Sequence, residues 1–460
     1  MKEKSLKLLT ILKYLPILFF STAVDNDFYF LYKYGEYIIL NKSFPHNDFL
    51  TVNNPPIVLQ QWLFGILSYF LYEIFGKIGI IIAQDIFAVL IIFSLYKLLY
   101  LITNKKIAAN CLSFLFSLPF VFFCTFRPLL VDILLGILMI YVILLYKKKN
   151  NSKVIFLLPI FSLLESNLHS SFLIFFFLIP IAFLMDFKEK HFDFKLFVNL
   201  PLMALSSLIN PYGLKAVLYL KNSSSKYSTY IAEMNRSNIL NIGGQIALIC
   251  IILLIFSNKT KEKKSFPLIL IFLGTLCLTI FAVKCTPFLI ISTLLLIAEN
   301  IKNLDDVKIL KKFFGVYEIY IPIICIIILI FGLKNFSGII EKEDFSFKKA
   351  VDYLEEIAPN STLYTTFYTG NYSEFKGFIC YSDARMETHL KKKNGVENSF
   401  EDNIELAEGI INYKEFLKEN SFDYYLFDKA ENSIFAKDVL ENLEYETIYE
   451  DDNAIIIKLL

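Results

Sequence analysis

The chain has 460 residues, 56% of them apolar and 19% charged, with 47 Phe, 27 Tyr and a mean hydropathy of +0.54. A soluble globular chain is about half apolar and about a quarter charged, so this composition argues against an ordinary cytosolic enzyme. The formal charge of +1 conceals an asymmetry: residues 338–460 carry 26 acidic and 13 basic groups, leaving 32 basic against 18 acidic in residues 1–337. Two parts suited to different solvents are joined in one chain.

Apolar runs long enough to span a bilayer, or nearly so, fall at 8–24, 57–75, 78–102, 107–126, 128–146, 153–166, 168–185, 196–209, 244–257, 265–282, 285–299 and 314–334. A helix needs roughly 20 residues to cross the hydrocarbon, so the shorter runs are expected to recruit flanking residues or to tilt. The first run lacks a small-residue cleavage site and reads as a retained membrane helix. Most runs are apolar on every face, as helices in lipid are.

Lysine clusters set the expected sidedness. Lys2/Lys4/Lys7, Lys147–Lys149, Lys188/Lys190/Lys195, Lys259–Lys264 and Lys302–Lys312 belong on the cytoplasmic side by the positive-inside rule. The N-terminus is then cytoplasmic, while 167–169, 210–243, the 283–286 turn and all of 338–460 are extracytoplasmic. Before residue 105 the count stays open, at 11 or 13 crossings overall, because the runs 57–75 and 78–102 are joined only by Gly76 and Lys77.

Segment 338–460 reads as a small soluble α/β domain. Helices are expected over 347–357 and 401–418, strands over 361–367 and 423–427, and a final hairpin of 445–449 with 454–459. The expected fold is therefore mainly α: a polytopic membrane helical bundle over 1–337, with its first outer loop at 25–56, followed by an extracytoplasmic α/β domain over 338–460.

The seven cysteines show no CxxC spacing, and six lie in or beside apolar runs. They read as small core residues, not as a disulfide framework or zinc site. Only three arginines occur, Arg127, Arg236 and Arg385, in a chain that favours lysine. An arginine kept against that bias suggests a need for its planar fork of donors.

The first outer loop holds Asp25-Asn26-Asp27-Phe28-Tyr29, Gly35, Phe44-Pro45-His46-Asn47-Asp48-Phe49 and, past Pro55-Pro56, Gln60-Gln61-Trp62-Leu63. Paired carboxylates at the mouth of a membrane helix can bind a divalent ion or serve as a general base toward a hydroxyl; Asp25 or Asp27 can equally cap the following helix. Other polar outliers fall on the same expected face: Arg127-Pro128, Glu165-Ser166-Asn167-Leu168-His169, Asn210-Pro211-Tyr212-Gly213, Glu233, Arg236 and Lys284. Carboxylates, an imidazole and cations on one side of a membrane suit chemistry with a phosphate leaving group. No Gly-rich nucleotide loop is found. Charges are scarce within the apolar runs, Asp85 and Asp132 being the main exceptions, which speaks against a transporter.

The pattern Asp25-x-Asp27-aromatic-aromatic, Gly35, Pro45-x-x-Asp48-Phe49 and Gln61-Trp62-Leu63 resembles the start of the GT-C-fold membrane glycosyltransferases, and in particular an uncharacterised bacterial branch of multi-pass proteins. Arg127-Pro128, Asn167-Leu168-His169, Asn210-Pro211-Tyr212-Gly213, Glu233 and the tail Asn371-Tyr372, Phe375, Gly377-Phe378 and Asp383-Ala384-Arg385 resemble the same branch. The resemblance implies transfer of a sugar from a polyprenyl-phosphate-linked donor, with inversion, to a glycan, lipid or protein acceptor outside the cytoplasm. It makes Asp25 or Asp27 the base or metal-binding carboxylate, with Asp48 a second acidic group. Arg127, His169, Lys284 and Glu233 become contacts of substrate and lipid phosphate. A divalent metal held by Asp25 and Asp27 is the one cofactor implied; membrane lipid is an expected partner and nucleic acid is not. Two positions depart from the family pattern: Phe28-Tyr29-Phe30 stands where Trp-Trp-His is usual, and Gln61 where a carboxylate is usual. Those departures keep open a non-catalytic assembly or scaffold protein of a surface-polysaccharide pathway. A transporter or flippase is the third reading, though no internal repeat accompanies it.

Overall fold

The computed structural model describes residues 24–149, 153–185, 192–218, 231–257, 265–302, 345–386 and 388–460. The first and last apolar runs, apart from Val24, lie outside these residues, as do the lysines at 2–7, 188–190, 259–264 and 308–312. The chain divides into two compact units, one built from 78–217 with 228–341, the other mainly from 23–77 with 342–460.

The first unit is a helical membrane bundle. Helix α2 (Trp62–Thr103) begins in the second unit, and its geometry is interrupted at Gly76 (φ 60°, ψ −155°), a conformation that an L side chain rarely adopts. The runs 57–75 and 78–102 are thus two helical stretches that meet at a kink at Gly76, with no loop between them. There follow α3 (Lys106–Phe120), α4 (Leu129–Lys149), α5 (Leu158–Leu168), α6 (Leu173–Leu184), α7 (Phe194–Ser207), α8 (Ile242–Ser257), α9 (Phe266–Phe281) and α10 (Thr286–Lys302). Among the described residues, the spans 62–103, 106–123, 129–148 and 283–302 are long and apolar enough to cross a membrane; the other helices are apolar but shorter.

Helix α10 is buried along almost its whole length and is packed by α8, α9 and α3, while α5 packs on α7 and α9 on α6. Lipid supplies no hydrophobic drive between helices, so small polar side chains help to hold them. Thr275 and Ser292 share a hydroxyl bond of 2.7 Å between α9 and α10, Asn300 donates to Ser257 at 2.9 Å, and Ser162 donates to the Met203 carbonyl at 3.0 Å. The outward faces carry Ile82, Ile86, Val89 and Phe93 on α2 and Leu248, Ile252 and Ile255 on α8, all exposed as lipid-facing residues are. Among the described residues, buried Cys124, Cys250 and Cys285 are packing residues that form no disulfide.

In the second unit α1 (Asp27–Asn41) packs on the start of α2 and on α12 (Gly370–Phe375). Its aromatic run supplies the contact: Tyr29 meets Tyr372 and Phe375 at 5.1 Å each, and Tyr32 meets Phe375 at 5.0 Å. The acidic tail folds as α11 (Lys348–Ile357), β1 (Thr362–Tyr364), α12, β2 (Ile379–Cys380), α13 (Ser399–Ala407), α14 (Tyr413–Glu419), β3 (Tyr424–Asp428), α15 (Ile434–Asn442), β4 (Tyr445–Glu450) and β5 (Ala454–Leu459). The sheet order is β2-β1-β3-β5-β4, parallel at β2-β1-β3 and antiparallel through the β4/β5 hairpin. One face carries Tyr364, Tyr425, Phe427, Ile455 and Ile457 against Phe416 and Phe435.

The hairpin forms where expected, turned by Asp451 Oδ1 accepting from the Asn453 and Ala454 amides at 2.8 Å each. The helix expected over 401–418 is instead two, parted by a turn in which Gly409 has φ 72°. The first loop also reaches this sheet. Cys380 donates to the Leu50 carbonyl at 2.9 Å and Val52 to the Cys380 carbonyl at 3.0 Å, so residues 50–52 cover the exposed edge of β2.

Candidate functional site

Among the described residues, each unit holds a buried polar cluster that contains residues singled out in the sequence. In the bundle, Arg127 precedes Pro128, whose fixed φ suits the first turn of a helix, and Asp132 falls in the first turn of α4, where the helix dipole favours a carboxylate. Glu165 and His169 lie one turn apart at the end of α5 and so share a face. Asp132, with no exposed surface, is bonded to His169: Oδ2 to Nδ1 is 2.6 Å. Glu165 stands beside Asp132 and is fully buried.

Glu233 is brought to the same place by its neighbours. Val283 donates to the Asn235 carbonyl at 3.1 Å and Ser237 to the Ile280 carbonyl at 3.0 Å, which ties the 233–237 segment to the turn that carries Lys284. Arg127 Nη1 and Glu233 Oε2 form a close ion pair. Burial pushes the Glu233 carboxyl up, but Arg127 and then Lys284, with His169 contributing, hold it below the usual carboxylate range. The bundle therefore brings together Arg127, His169, Lys284 and Glu233, four of the residues singled out in the sequence, three from helix ends and Glu233 from the loop before α8. The cluster grades from the partly exposed Glu233 to the fully buried Asp132. Next to it, between α4, α6, α9 and α10, lies a narrow apolar crevice lined by residues such as Ile133, Phe175 and Phe288.

Asn167 and Asn210 serve the scaffold. Asn167 donates to the Leu163 and Ile209 carbonyls at 2.7 and 2.9 Å, and Asn210 accepts from the Tyr212 amide at 2.9 Å to make a side-chain turn.

The second unit holds the acidic loop residues. Asp25 Oδ1 accepts the Asp27 amide at 3.0 Å, and the Asp25 carbonyl accepts from Phe28, so Asp25 supports the start of α1. Asp27 occupies the first turn of that helix. Asp48 is fully buried: Oδ1 accepts from the Tyr34 hydroxyl at 2.8 Å and from the Leu50 amide at 3.1 Å, and Oδ2 lies 2.9 Å from Arg385 Nη2. Arg385 forks onto Asp383, with Nε 2.9 and 3.0 Å from its two oxygens and Nη2 in a closer ion pair, and also touches the Tyr34 hydroxyl and Glu374. The guanidinium stands 5.1 Å over Tyr34 and 5.3 Å over Phe30. Beyond it, His389 bridges Asp383 (3.0 Å) and Glu397 (3.1 Å).

Burial would raise Asp383, yet Arg385 and then His389 hold its carboxyl well below the usual range. Burial would lower His389, but Asp383 and Glu397 push it up to about 10. Glu374 is raised well above the usual range by burial and by Asp383, with Arg385 offsetting only part.

The ligand atoms of Asp48, Asp383 and His389 lie within 4.8 Å of one another, the one such group of three among the described residues. Asp25 and Asp27 are not in it. A cation would need His389 deprotonated, whereas its environment keeps the proton on at neutral pH. Arg385 already lies against the same two carboxylates. As they stand, these residues fit an internal ion cluster and do not fit a divalent metal.

His389, Glu374 and Tyr34 were not legible as members of this cluster. Asp132 carried a signal, a charge inside an apolar run, but nothing in its spacing pointed to His169.

No protein-family model matches the chain, and no curated protein matches it in sequence. Solved structures do match in fold. ArnT from Cupriavidus metallidurans bound to undecaprenyl phosphate superposes with a TM-score of 0.55 at 10% identity, covering 98% of this chain and 96% of that one. The Archaeoglobus fulgidus oligosaccharyltransferase tethered to an acceptor peptide gives 0.54 at 11% identity, covering 93% and 69%. The archaeal oligosaccharyltransferase AglB from the same organism, in complex with an inhibitory peptide and a dolichol phosphate, gives 0.51 at 12%, covering 93% and 70%. The chain is thus a membrane protein with the GT-C fold of membrane glycosyltransferases, a mainly helical bundle with a small C-terminal sheet.

Proposed function

We propose that the protein is a membrane glycosyltransferase that takes a sugar from a polyprenyl-phosphate-linked donor and passes it, with inversion, to an acceptor on the extracytoplasmic side. The observation that carries this reading is the convergence of Arg127, Lys284 and His169 around Glu233 at the helix ends of the bundle. A lipid phosphate arriving there meets two cations, one of them already half-neutralised by a carboxylate it can displace. Charge-assisted bonds from Arg and Lys stabilise a departing phosphate in a site from which water is partly excluded. The lysine clusters of the sequence, read by the positive-inside rule, support an extracytoplasmic position for this end, away from nucleotide sugars, which favours a donor carried by lipid. Titration of the purified protein with undecaprenyl phosphate, followed by thermal shift, tests the reading. Arg127→Ala with Lys284→Ala should weaken binding at least tenfold, and unchanged binding in the double variant would sink it.

A second reading, a non-catalytic protein of the same architecture, is favoured by one observation. Asp48, a candidate acidic group, is fully engaged by Tyr34, Leu50 and Arg385. Release of undecaprenyl phosphate from an undecaprenyl-phosphate-linked hexose separates the two readings, since only the first requires turnover.

A further inference from the structure

Beside the cation cluster, one hydrogen-bonded chain ends on a hydroxyl. Asp132 Oδ2 lies 2.6 Å from His169 Nδ1, and His169 Nε2 lies 2.9 Å from Ser171 Oγ. The ring lies tilted against Phe172 at 5.3 Å, and Phe172 stacks on Phe288 at 5.5 Å, so the imidazole is held by packing as well as by Asp132. Asp132 has no exposed surface, His169 has little, and Ser171 is half-buried, so the chain runs outward from the bundle interior. With Asp132 as the acceptor at Nδ1, the tautomer assigned to His169 carries its hydrogen there and turns the Nε2 lone pair to the hydroxyl. That order of acceptor, imidazole and hydroxyl is the one proton abstraction requires.

The geometry points to Asp132 and His169 as a general-base dyad that removes the proton from a hydroxyl lying where Ser171 Oγ lies. His169 is the catalytic residue and Asp132 the positioning residue that fixes its tautomer and orientation. The identity of the physiological hydroxyl rests on the glycosyl-transfer reading: it is an acceptor alcohol that displaces Ser171 from Nε2. As the acceptor oxygen bonds to the anomeric carbon, its proton passes to Nε2. The bond from that carbon to the phosphate oxygen breaks, and the electron pair leaves with the lipid phosphate. The imidazolium then returns its proton to water.

The dyad can be tested without donor or acceptor, because the resident hydroxyl reports on it. The full-length protein in detergent is treated with a fluorophosphonate probe and mapped by peptide mass spectrometry. Ser171 Oγ should attack phosphorus, fluoride should leave, and the hydroxyl proton should go to His169. Labelling is expected at Ser171 in the wild type and nowhere in Ser171→Ala. It should fall at least tenfold in His169→Gln and in Asp132→Asn, with part of it restored in Asp132→Glu. Asn fills the space of Asp better than Glu does, so a role in packing alone would give the opposite order. An unlabelled Ser171 in the wild type, or labelling that survives His169→Gln, overturns the dyad whether or not the variants fold. A failure of undecaprenyl phosphate binding would instead remove the acceptor alcohol while leaving this result standing.

Discussion

Arg385 is the residue on which the second unit's buried charges turn. Its guanidinium answers two buried carboxylates and stacks on Phe30 and Tyr34, a task that needs a planar fork and not a point charge. Removing one member of a buried ion cluster leaves the others uncompensated, which typically costs about 3–5 kcal/mol. Arg385→Ala should therefore lower the thermal stability of the detergent-solubilised protein by an amount of that order, and Arg385→Lys should rescue little of it. His389 adds a pH dependence whose sign follows from its raised pKa. Its stabilising contribution is fully present below its ordinary value near 6.5, declines as pH rises, and is lost once pH passes about 10. Melting should thus weaken between neutral pH and pH 10, and His389→Gln should flatten that decline. Asp383, held low, acts at the other end: its contribution is present above its ordinary 3.8 and is lost as pH falls through its depressed value. The Asp48 and Arg385 motifs were visible in the chain. Their mutual contact was not, because an ion pair between residues hundreds of positions apart leaves no local pattern.

At the scale of elements, packing explains a residue that the motif could only mark. A Cβ on Gly35 would stand 2.2 Å from the Gly65 carbonyl oxygen and 2.6 Å from its carbon, so α1 and the start of α2 touch backbone to backbone there. Backbone cannot swing aside as a side chain can. Gly35→Ala should cost about 1–3 kcal/mol, read as a lower melting temperature. Gly274, in α9, has nothing within 4 Å of its Cβ position, and Gly274→Ala should be neutral or stabilising by up to about 1 kcal/mol. Helix positions were largely legible, since apolar runs and Lys-rich ends are local signals. The ambiguity over 57–102 was not resolvable in sequence, because a glycine that breaks a helix and a glycine that joins two helices read the same. In the structure two helical stretches meet at a kink at Gly76.

For the whole molecule, the opposed charges of the two parts of the chain carry the topology prediction. Single cysteines at Leu240 and Ile410, both well exposed, should be labelled by a membrane-impermeant maleimide in intact cells, in a background whose native cysteines are replaced. Protection of either until the membrane is permeabilised would reverse the sidedness on which the lipid-borne donor depends. The sequence by itself determined that this is a membrane chain, where its helices run and that an acidic domain follows. Hydropathy and charge are sums over neighbouring residues, and a bilayer responds to such sums. Only the tertiary structure decided which polar groups meet: Asp132 with His169, Arg127 with Glu233, Asp48 with Arg385. A buried charge is stable only beside its partner, and helix packing, which no local pattern encodes, chooses the partner.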